Sequence, residues 1–243
     1  MKKETQMLGA GKAAPEAYNS YGEGDVGDSQ RRRWSLFATL KHLYRGQTML
    51  RILMNRALAT ETLRGKVVDI GGGRNPDYFE YFKKEHASIE PIDGSMTGIN
   101  FEHDMLPYTS DSIDTIVLCN VLEHIYNYEH LLQEIRRVLK KEGQLIGFVP
   151  WWVGYHPDPH DYFRYTKEAL QMIFKDVGYS SARIRSIGGG PVLANFNTIV
   201  LSVPRFVRPI LYLSYGLLDA LFVRVRPKSM ERNPLGFVFV VRK

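Results

Sequence analysis

The first chemically informative pattern in the sequence is the stretch VVDIGGGRNP. An apolar run ends in Asp69 and is followed by Gly71, Gly72 and Gly73, which is typical of a strand that leads into a nucleotide-binding turn. Glycine allows positive φ angles and lets a ligand approach the backbone closely. The dinucleotide fingerprint G-x-G-x-x-G is incomplete, because Pro76 stands in the place of its last glycine. The turn therefore predicts a nucleotide-like ligand other than a dinucleotide.

Two acids indicate the kind of nucleotide. A carboxylate at Asp69 would repel a pyrophosphate and attract an ammonium or sulfonium group, although it could instead accept hydrogen bonds from nearby backbone N–H groups. Asp93, in the stretch IDGS, follows Gly73 by 20 positions. A carboxylate at that spacing can bind both hydroxyls of a ribose, and its alternative role is to cap a helix. Together the two acids favour a nucleoside that carries a positive charge.

A second set of polar residues stands in WWVGYHPDPHDYFRYT, whose prolines predict a loop after a strand. It contains His156 and His160, and histidine is the usual general base near neutral pH. Arg164 is a candidate substrate anchor, or alternatively part of an ion pair that orders the loop. The other candidates for binding a substrate are Tyr155, Asp161 and Tyr162. Aromatic and histidine residues in such a position also serve as packing residues, which is the alternative for the whole set.

From residue 66 onward the predicted secondary structure alternates between strands and helices, and the candidate residues lie at the ends of these elements. The predicted strands are KVVDI, HASIEPID, DSIDTIVLCN, QLIGFVPWW, ARIRSIGG and GFVFVVRK. The predicted helices are NPDYFEYFKKEH, with Asn75 and Pro76 as a start signal, LEHIYNYEHLLQEIRRVLKKEG, closed by Gly143, and TKEALQMIFKDVGY. This alternation predicts an α/β fold with a parallel, doubly wound sheet.

Three segments surround this alternating pattern. Residues 1–30 lack hydrophobic periodicity and are predicted to form a disordered tail. Residues 31–65 are predicted to form a basic helical extension, with Ser35 and Thr48 as N-caps. An apolar helical insert at about residues 191–228 precedes the last strand, and its apolar run is too short to span a bilayer.

Composition narrows the class of protein. A hydrophobic share of 44% and a charged share of 24% are those of a soluble globular protein. The single cysteine, Cys119, excludes an internal disulfide and is compatible with a reducing compartment. The net charge of +6 is uneven, because residues 31–66 carry nine basic and one acidic residue and residues 204–243 carry eight and two. Such basic flanks favour an anionic membrane surface, a phosphorylated substrate or a nucleic acid, and a solvated basic surface is the alternative.

Four motifs together resemble the class I S-adenosylmethionine-dependent methyltransferases, and among them the methyltransferase type 11-like domains. The motifs are DIGGG, IDGS, HDMLPYTSDSIDTIVLCNVLEHI and LKKEGQLIGFVP. The resemblance covers about residues 60–190, and it departs from the family at Asn75, where a third glycine is usual. It implies a Rossmann-like, seven-stranded sheet whose last strand is antiparallel, and a methyltransferase domain over residues 66–243.

The resemblance also implies S-adenosylmethionine as the cofactor and assigns residues to it. The residues that it places at the cofactor are Asp69, Gly71, Gly72 and Gly73 near the methionine part, Asp93 on the ribose, Asp104 and Met105 near adenine, and Asn120 on the methionine side. His124 is interpreted as structural, since LEH opens a helix in many members of the family. No residues are assigned to a metal.

The expected reaction is SN2 transfer of a methyl group to an oxygen of a small or glycan- or lipid-linked acceptor, with His156 or His160 as the base. A nucleic-acid methyltransferase and an inactive, partner-binding relative are the alternatives. Nucleic acid is not an expected partner, because the basic flanks contain no recognisable nucleic-acid-binding module.

The location of the protein is expected to be cytoplasmic, because the N-terminus lacks the apolar segment of a signal peptide. The apolar insert is interpreted first as a buried or homodimer-forming helix. The alternative is an interfacial helix that brings the protein to an anionic inner membrane face, since arginines and Lys228 bracket it.

Overall fold

The computed structural model describes residues 35–73 and 76–243, so the predicted tail over residues 1–30 lies outside the described part of the chain. The strands are β1 (Thr62–Ile70), β2 (Lys83–Ile92), β3 (Ile113–Cys119), β4 (Leu139–Pro150), β5 (Ser181–Gly188) and β6 (Pro234–Arg242). The α-helices are α1 (Leu36–Tyr44), α2 (Met49–Leu58), α3 (Gly94–Thr97), α4 (Tyr128–Val138), α5 (Lys167–Val177), α6 (Pro191–Ile199), α7 (Arg208–Val225) and α8 (Ser229–Arg232). Short 3-10 turns cover Asp77–Glu80, Leu122–His124 and Val200–Ser202.

The sheet has the strand order β2-β1-β3-β4-β6-β5. Neighbours among β1 to β4 pair in parallel, and β6 runs antiparallel to both β4 and β5. This confirms the predicted Rossmann-like α/β fold with an antiparallel last strand. The described residues form six strands rather than the expected seven. The segment between Ile92 and Ile113 holds only the four-residue helix α3 and a loop, so it adds no strand beyond β2.

Helices cover both faces of the sheet, as expected for a sheet built largely from parallel strands. On one face Ile116 and Leu118 pack in a core with Leu132 of α4 and Phe174 of α5. On the other face Val67, Val117 and Phe148 are among the residues that pack with Met54 and Leu58 of α2. The predicted N-caps Ser35 and Thr48 accept hydrogen bonds from backbone N–H groups at the starts of α1 and α2. The second helix of the basic extension is therefore part of the core; the division of the chain into domains stays a prediction.

One predicted helix and one predicted helix boundary are wrong. Pro76 has extended backbone angles, and only a single 3-10 turn separates it from β2, which begins at Lys83. Lys83 pairs with Thr62 of β1, so strand pairing takes the residues KKEH that the pattern gave to a helix. Helix α4 ends at Val138, not Gly143, because Leu139 already pairs with Ile113 in the sheet. In both places pairing with a neighbouring strand outweighs the local helical pattern.

The apolar insert consists of α6, the 3-10 turn Val200–Ser202 and α7, and the four-residue helix α8 follows it. The buried carboxylate of Asp219, in α7, accepts hydrogen bonds from the backbone N–H groups of Gly190, Val192 and Leu193 at the start of α6, at 2.7 to 3.0 Å. A negative charge at a helix N-terminus is stabilising, so this contact fixes α7 against α6. Within the described ranges we find no helix with the length and hydropathy needed to cross a membrane.

Candidate functional site

The carboxyl ends of β1, β2 and β3 meet at one edge of the sheet. The Gly71 N–H donates to the Ile92 carbonyl at 2.8 Å, which joins the turn after β1 to the end of β2. A Cβ atom on Gly71 would lie 2.6 Å from Val121 Cγ2, so the turn also touches the residues that follow β3. The fold therefore brings together the acid and glycine residues that the sequence assigns to the cofactor, as ligand sites in doubly wound sheets require.

Asp69 is fully buried at the end of β1. Its Oδ1 accepts a hydrogen bond from the Tyr78 hydroxyl at 2.7 Å, whereas Oδ2 has no hydrogen-bond partner among the described residues. Burial raises the pKa of Asp69 to about 7, the Tyr78 hydrogen bond opposes this rise, and the nearby charge of Asp93 adds to it. A buried carboxylate with an unused oxygen is suited to a cationic ligand, because a positive charge would offset its desolvation.

The glycine turn has no room for a side chain at Gly72. A Cβ atom on Gly72 would lie 2.8 Å from Asp69 Cγ and would overlap the Asp69 carboxylate and the Tyr78 hydroxyl. Gly71 and Gly73 have φ angles of 75° and 71°, which favour glycine, and a Cβ on Gly73 would have no atom of the described residues within 4 Å. The open space at Gly73 and the unpartnered Asp69 oxygen fit the methionine end of an S-adenosyl cofactor.

Asp93 caps helix α3, which was its alternative role. Its Oδ1 accepts hydrogen bonds from the Ser95 backbone N–H at 2.9 Å and from the Ser95 hydroxyl at 2.5 Å. The side chain is only partly buried at the end of β2. A carboxylate has capacity for more than two hydrogen bonds, so the cap and a ribose contact are compatible.

Asp93 variants separate these two roles. We expect Asp93→Ser to keep the helix cap, because serine is a good N-cap, and to weaken S-adenosylmethionine binding about 10-fold or more through loss of the ribose contacts. Asp93→Ala should weaken binding similarly and also destabilise α3. Calorimetric titration together with urea unfolding measures both effects. Unchanged affinity in Asp93→Ser would remove Asp93 from the ribose site.

Asp104 and Met105 stand in the loop before β3. The Asp104 Oδ2 accepts a hydrogen bond from the Asn100 backbone N–H at 2.8 Å, and 65% of Met105 is exposed. The next residue, Leu106, is buried and is held by Glu134 and Arg137 of α4 through its N–H and carbonyl. This anchoring fixes the backbone at Asp104 and Met105; their contact with adenine stays a prediction.

Asn120 follows β3 with a φ angle of 55°. Its N–H donates to the Phe148 carbonyl at 2.9 Å, and its amide nitrogen lies 3.5 Å from the sulfur of Met54 in α2. The unusual backbone angle is thus held by β4 on one side and by the N-terminal helices on the other. The contact with Met54 was not predictable from the sequence, because no local pattern relates positions 66 residues apart.

The loop after β4 is ordered by an ion pair. Arg164 donates two hydrogen bonds to the Asp161 carboxylate, at 2.5 and 2.7 Å, and the His156 backbone N–H donates a third at 3.0 Å. These contacts, with that of Arg164 the largest, hold the pKa of Asp161 well below its usual range. Of the two roles predicted for Arg164, the structure therefore contains the ion pair that orders the loop.

The two candidate bases have different surroundings. The His156 ring lies 5.1 Å from the ring of His124, and its Nε2 lies 4.0 Å from Glu123 Oε1. His160 is exposed, and its ring lies 5.2 Å from that of Tyr162. Tyr155, a predicted substrate residue, is 79% exposed. The structure thus groups His156 with other titratable residues and leaves His160 and Tyr155 at the surface.

Glu123 is the residue of this region that the sequence analysis missed. Its side chain is completely buried in the 3-10 turn after β3, and both carboxylate oxygens lack a hydrogen-bond partner in the described part of the chain. Burial raises the pKa of Glu123 to about 8, and the Arg164 charge and its own backbone N–H oppose this rise. The sequence signal for Glu123 is the acidic residue of the stretch LEH, which follows the end of a strand. Only the fold shows that this residue is buried.

The loop after β4 is attached to Glu123, which lies three positions beyond Asn120 in the segment that follows β3. The backbone N–H groups of Tyr162 and Phe163 both donate to the Glu123 carbonyl. Beside this attachment lies an open cleft of about 860 Å³ whose lining includes Phe101, His124 and Tyr162. A small molecule could enter this cleft next to the sheet edge that carries the glycine turn.

A family model described as a methyltransferase domain matches residues 42–180, more than half of the chain. The chain belongs to this family. The prediction from the sequence motifs is thereby confirmed, and membership agrees with S-adenosylmethionine as the cofactor of this methyltransferase.

The chain is also similar to three other proteins. A structure of a possible histamine N-methyltransferase from Thermotoga maritima is 13% identical, with a TM-score of 0.50 over 88% of this chain and 97% of that one. A methyltransferase structure from Archaeoglobus fulgidus is 14% identical, with a TM-score of 0.44 over 86% and 100%. An uncharacterised protein of Methanocaldococcus jannaschii is 49% identical over 41 residues, which are 17% of this chain and 18% of that protein.

Proposed function

We propose that this methyltransferase transfers a methyl group from S-adenosylmethionine to an oxygen of a small or glycan- or lipid-linked acceptor. The observation that carries the proposal is that the loop after β4, which contains His156 and His160, is attached to Glu123. This attachment lies at the same sheet edge as Asp69, Asp93 and the glycine turn. When bound, the cofactor supplies an electrophilic methyl group on a sulfonium. The protein's part is to hold the acceptor in line with that group.

The residues divide this work between them. Asp69 offers a buried negative charge for the sulfonium and ammonium end, and Asp93 offers oxygens for the ribose. Asp161 and Arg164 hold the loop rigid, so that His156 keeps a fixed place beside Glu123. Tyr162 lines the neighbouring cleft and is half-exposed, which suits contact with a sugar or other ring.

A direct test uses the purified protein in two steps. Calorimetric titration with S-adenosylmethionine and S-adenosylhomocysteine should show binding, and its absence in folded protein up to millimolar ligand would refute the proposal. Protein incubated with methyl-labelled cofactor and fractionated extract should then label organic-soluble or glycan fractions. Label confined to RNA would instead support the nucleic-acid alternative, and binding without any labelling would support the inactive one.

We expect the variant His156→Ala to lower kcat about 100-fold or more, because a positioned histidine contributes about 10²- to 10⁴-fold to proton transfer. The comparison variant is His160→Ala, which removes the other histidine of the loop; His160 is exposed and lines the cleft, and its loss should leave kcat within a few-fold. Steady-state kinetics on the acceptor found above measure both, with cofactor affinity checked separately. The reverse order of effects would assign the proton transfer to His160.

The outer face of α7 supports peripheral contact with an anionic membrane, which would bring the enzyme to a lipid-linked acceptor. Ile210, Leu213, Leu217 and Leu221 are each about half exposed or more and follow one another at helical spacing. Exposed basic residues flank them on both sides, namely Arg205, Arg224, Arg226 and Lys228. Apolar residues framed by basic ones suit the interface of a bilayer that contains anionic lipid.

Flotation with vesicles of anionic and neutral lipids tests this contact. We expect the wild-type protein to float with anionic vesicles and the variant Leu217→Glu to remain unbound. The control is Met172→Glu, which places the same charge at an exposed apolar position of α5. If both variants float like the wild type, the membrane contact through α7 is wrong. A dimer in sedimentation that Leu217→Glu dissociates would assign this face to a second copy of the chain instead.

A further inference from the structure

Three side chains near the cleft direct possible ligand atoms toward one point. His124 Nε2 lies 3.7 Å from Glu123 Oε1, and His156 Nε2 lies 4.0 Å from the same oxygen. One ligand atom from each of the three residues lies within 4.8 Å of the other two. The side chains of Glu123, His124 and His156 are 0%, 11% and 38% exposed, so the group is buried on one side and open on the other.

The other ring nitrogens decide which histidine atoms can accept. His124 Nδ1 lies 2.5 Å from the His160 carbonyl, and His156 Nδ1 lies 2.9 Å from the Gly154 carbonyl. A carbonyl can only accept, so in the neutral form of each imidazole Nδ1 carries the proton and Nε2 presents a lone pair. The weaker contact of Arg164 with His156 Nδ1, at 3.4 Å, does not alter this order. An Nδ1–H donated to a backbone carbonyl is the usual way to orient a metal-binding imidazole.

Glu123 provides the second, independent observation. Its buried carboxylate has no hydrogen-bond partner on either oxygen among the described residues. Arg164, the nearby cation, already makes its hydrogen bonds to Asp161 and to backbone carbonyls. Two lone pairs and a carboxylate thus face one another, and the group that would complete them is a cation.

We propose that Glu123, His124 and His156 bind a divalent transition-metal ion. Two imidazoles and one carboxylate form the ligand set of many zinc and iron sites that keep open positions. In a tetrahedral zinc site the ligand atoms lie about 3.4 Å apart, given metal–ligand distances near 2.1 Å. The separations here are from a few tenths of an ångström to at most about 1.4 Å longer, and rotation of the partly exposed His156 side chain can shorten those that involve His156.

The ion would have a role in the proposed methyl transfer, and in this the inference rests on the proposed function. An acceptor hydroxyl bound at an open position of the ion has a lowered pKa and releases its proton to solvent. Its oxygen then forms a bond to the methyl carbon while the carbon–sulfur bond breaks, and the neutral thioether leaves. In that case His156 acts by holding the ion rather than by taking the proton itself.

Cobalt(II) titration of the full-length, chelator-treated protein tests the site without any activity measurement. We expect one ion per chain, visible as d–d absorption bands, and displacement of the bands by zinc. Glu123→Gln and His156→Ala should weaken cobalt binding about 100-fold or more through loss of a ligand. The control His103→Ala removes an exposed histidine that also lines the cleft and should bind like the wild type.

Two results would overturn the proposal. One is the absence of bands at millimolar cobalt, and the other is equal binding by Glu123→Gln and the wild type. The first result, with an unchanged unfolding free energy in Glu123→Gln, would instead show that Glu123 is a neutral carboxylic acid. Titration of Glu123→Gln with S-adenosylmethionine separates this outcome from failure of the proposed function, because cofactor binding should persist in that variant.

Discussion

Alanine at Gly72 is expected to lower the affinity for S-adenosylmethionine about 100-fold or more. The added methyl group would overlap the Asp69 carboxylate and the Tyr78 hydroxyl, which are both buried and hydrogen-bonded to each other. Neither can move freely, so the turn itself must shift away from the end of β1. A displacement of about 1 Å in a site that positions a ligand can cost about 100-fold.

The matched control for this variant is Gly216→Ala. Gly216 lies in α7, where a Cβ atom would make only ordinary contacts at 3.7 Å, so affinity and stability should be maintained. Calorimetry measures the affinity, and circular dichroism shows whether Gly72→Ala is folded. A folded Gly72→Ala protein with wild-type affinity would show that the cofactor does not approach this turn.

The second large effect is expected at Asp69, where stability and binding should change in opposite directions. The folded-state pKa of about 7 lies above the ordinary value of 3.8, because burial disfavours the charged form. A carboxyl group with a raised pKa contributes stability that is fully present below pH 3.8 and is lost as the pH rises through 7. Asp69→Asn should therefore stabilise the cofactor-free protein above pH 7, by about 2 to 4 kcal/mol.

The same substitution should weaken cofactor binding, because it removes the charge that faces the sulfonium. We expect the wild type to prefer S-adenosylmethionine over S-adenosylhomocysteine increasingly as the pH rises from 6 to 8, and Asp69→Asn to lose about 10-fold of that preference. The two ligands share the same amino and carboxylate groups, so their ratio isolates the sulfonium. Urea unfolding at pH 8 and pH 5 measures stability, and the gain in Asp69→Asn should shrink at pH 5.

Either of two outcomes would contradict this account of Asp69. A ligand preference that is the same in wild type and Asp69→Asn would show that Asp69 does not act on the sulfonium. A variant that is less stable than the wild type at pH 8 would show that the carboxylate is better satisfied in the fold than its unpartnered Oδ2 indicates.

Much of the fold was predictable because its signals are local. Strand β3 and helix α5 follow from apolar runs and from helical periodicity bounded by Thr166 and Gly178, and the structure has them where expected. The helix predicted from Asn75 failed, since the residues KKEH join β2 by pairing with β1. The residues of a short segment do not by themselves determine whether it pairs with a distant strand.

The residues of the candidate site were likewise predictable only in part. Motif spacing was enough to select Asp69, Asp93 and the glycine turn, because each follows a predicted strand and parallel strands end at a common edge. The sequence alone could not separate His156 from His160, which stand in one loop. The structure places His156 beside Glu123 and leaves His160 exposed, since the ion pair of Asp161 with Arg164 fixes the path of the loop.

The sequence by itself determined the family, the α/β class and the acids and glycines expected at the cofactor, because these depend on residue types at fixed distances along the chain. The burial of Glu123, its lack of hydrogen-bond partners among the described residues and its closeness to His124 and His156 became known only from the folded structure. Burial and charge pairing depend on segments that are far apart in sequence. Those properties appear only when the strand ends and the loop after β4 come together.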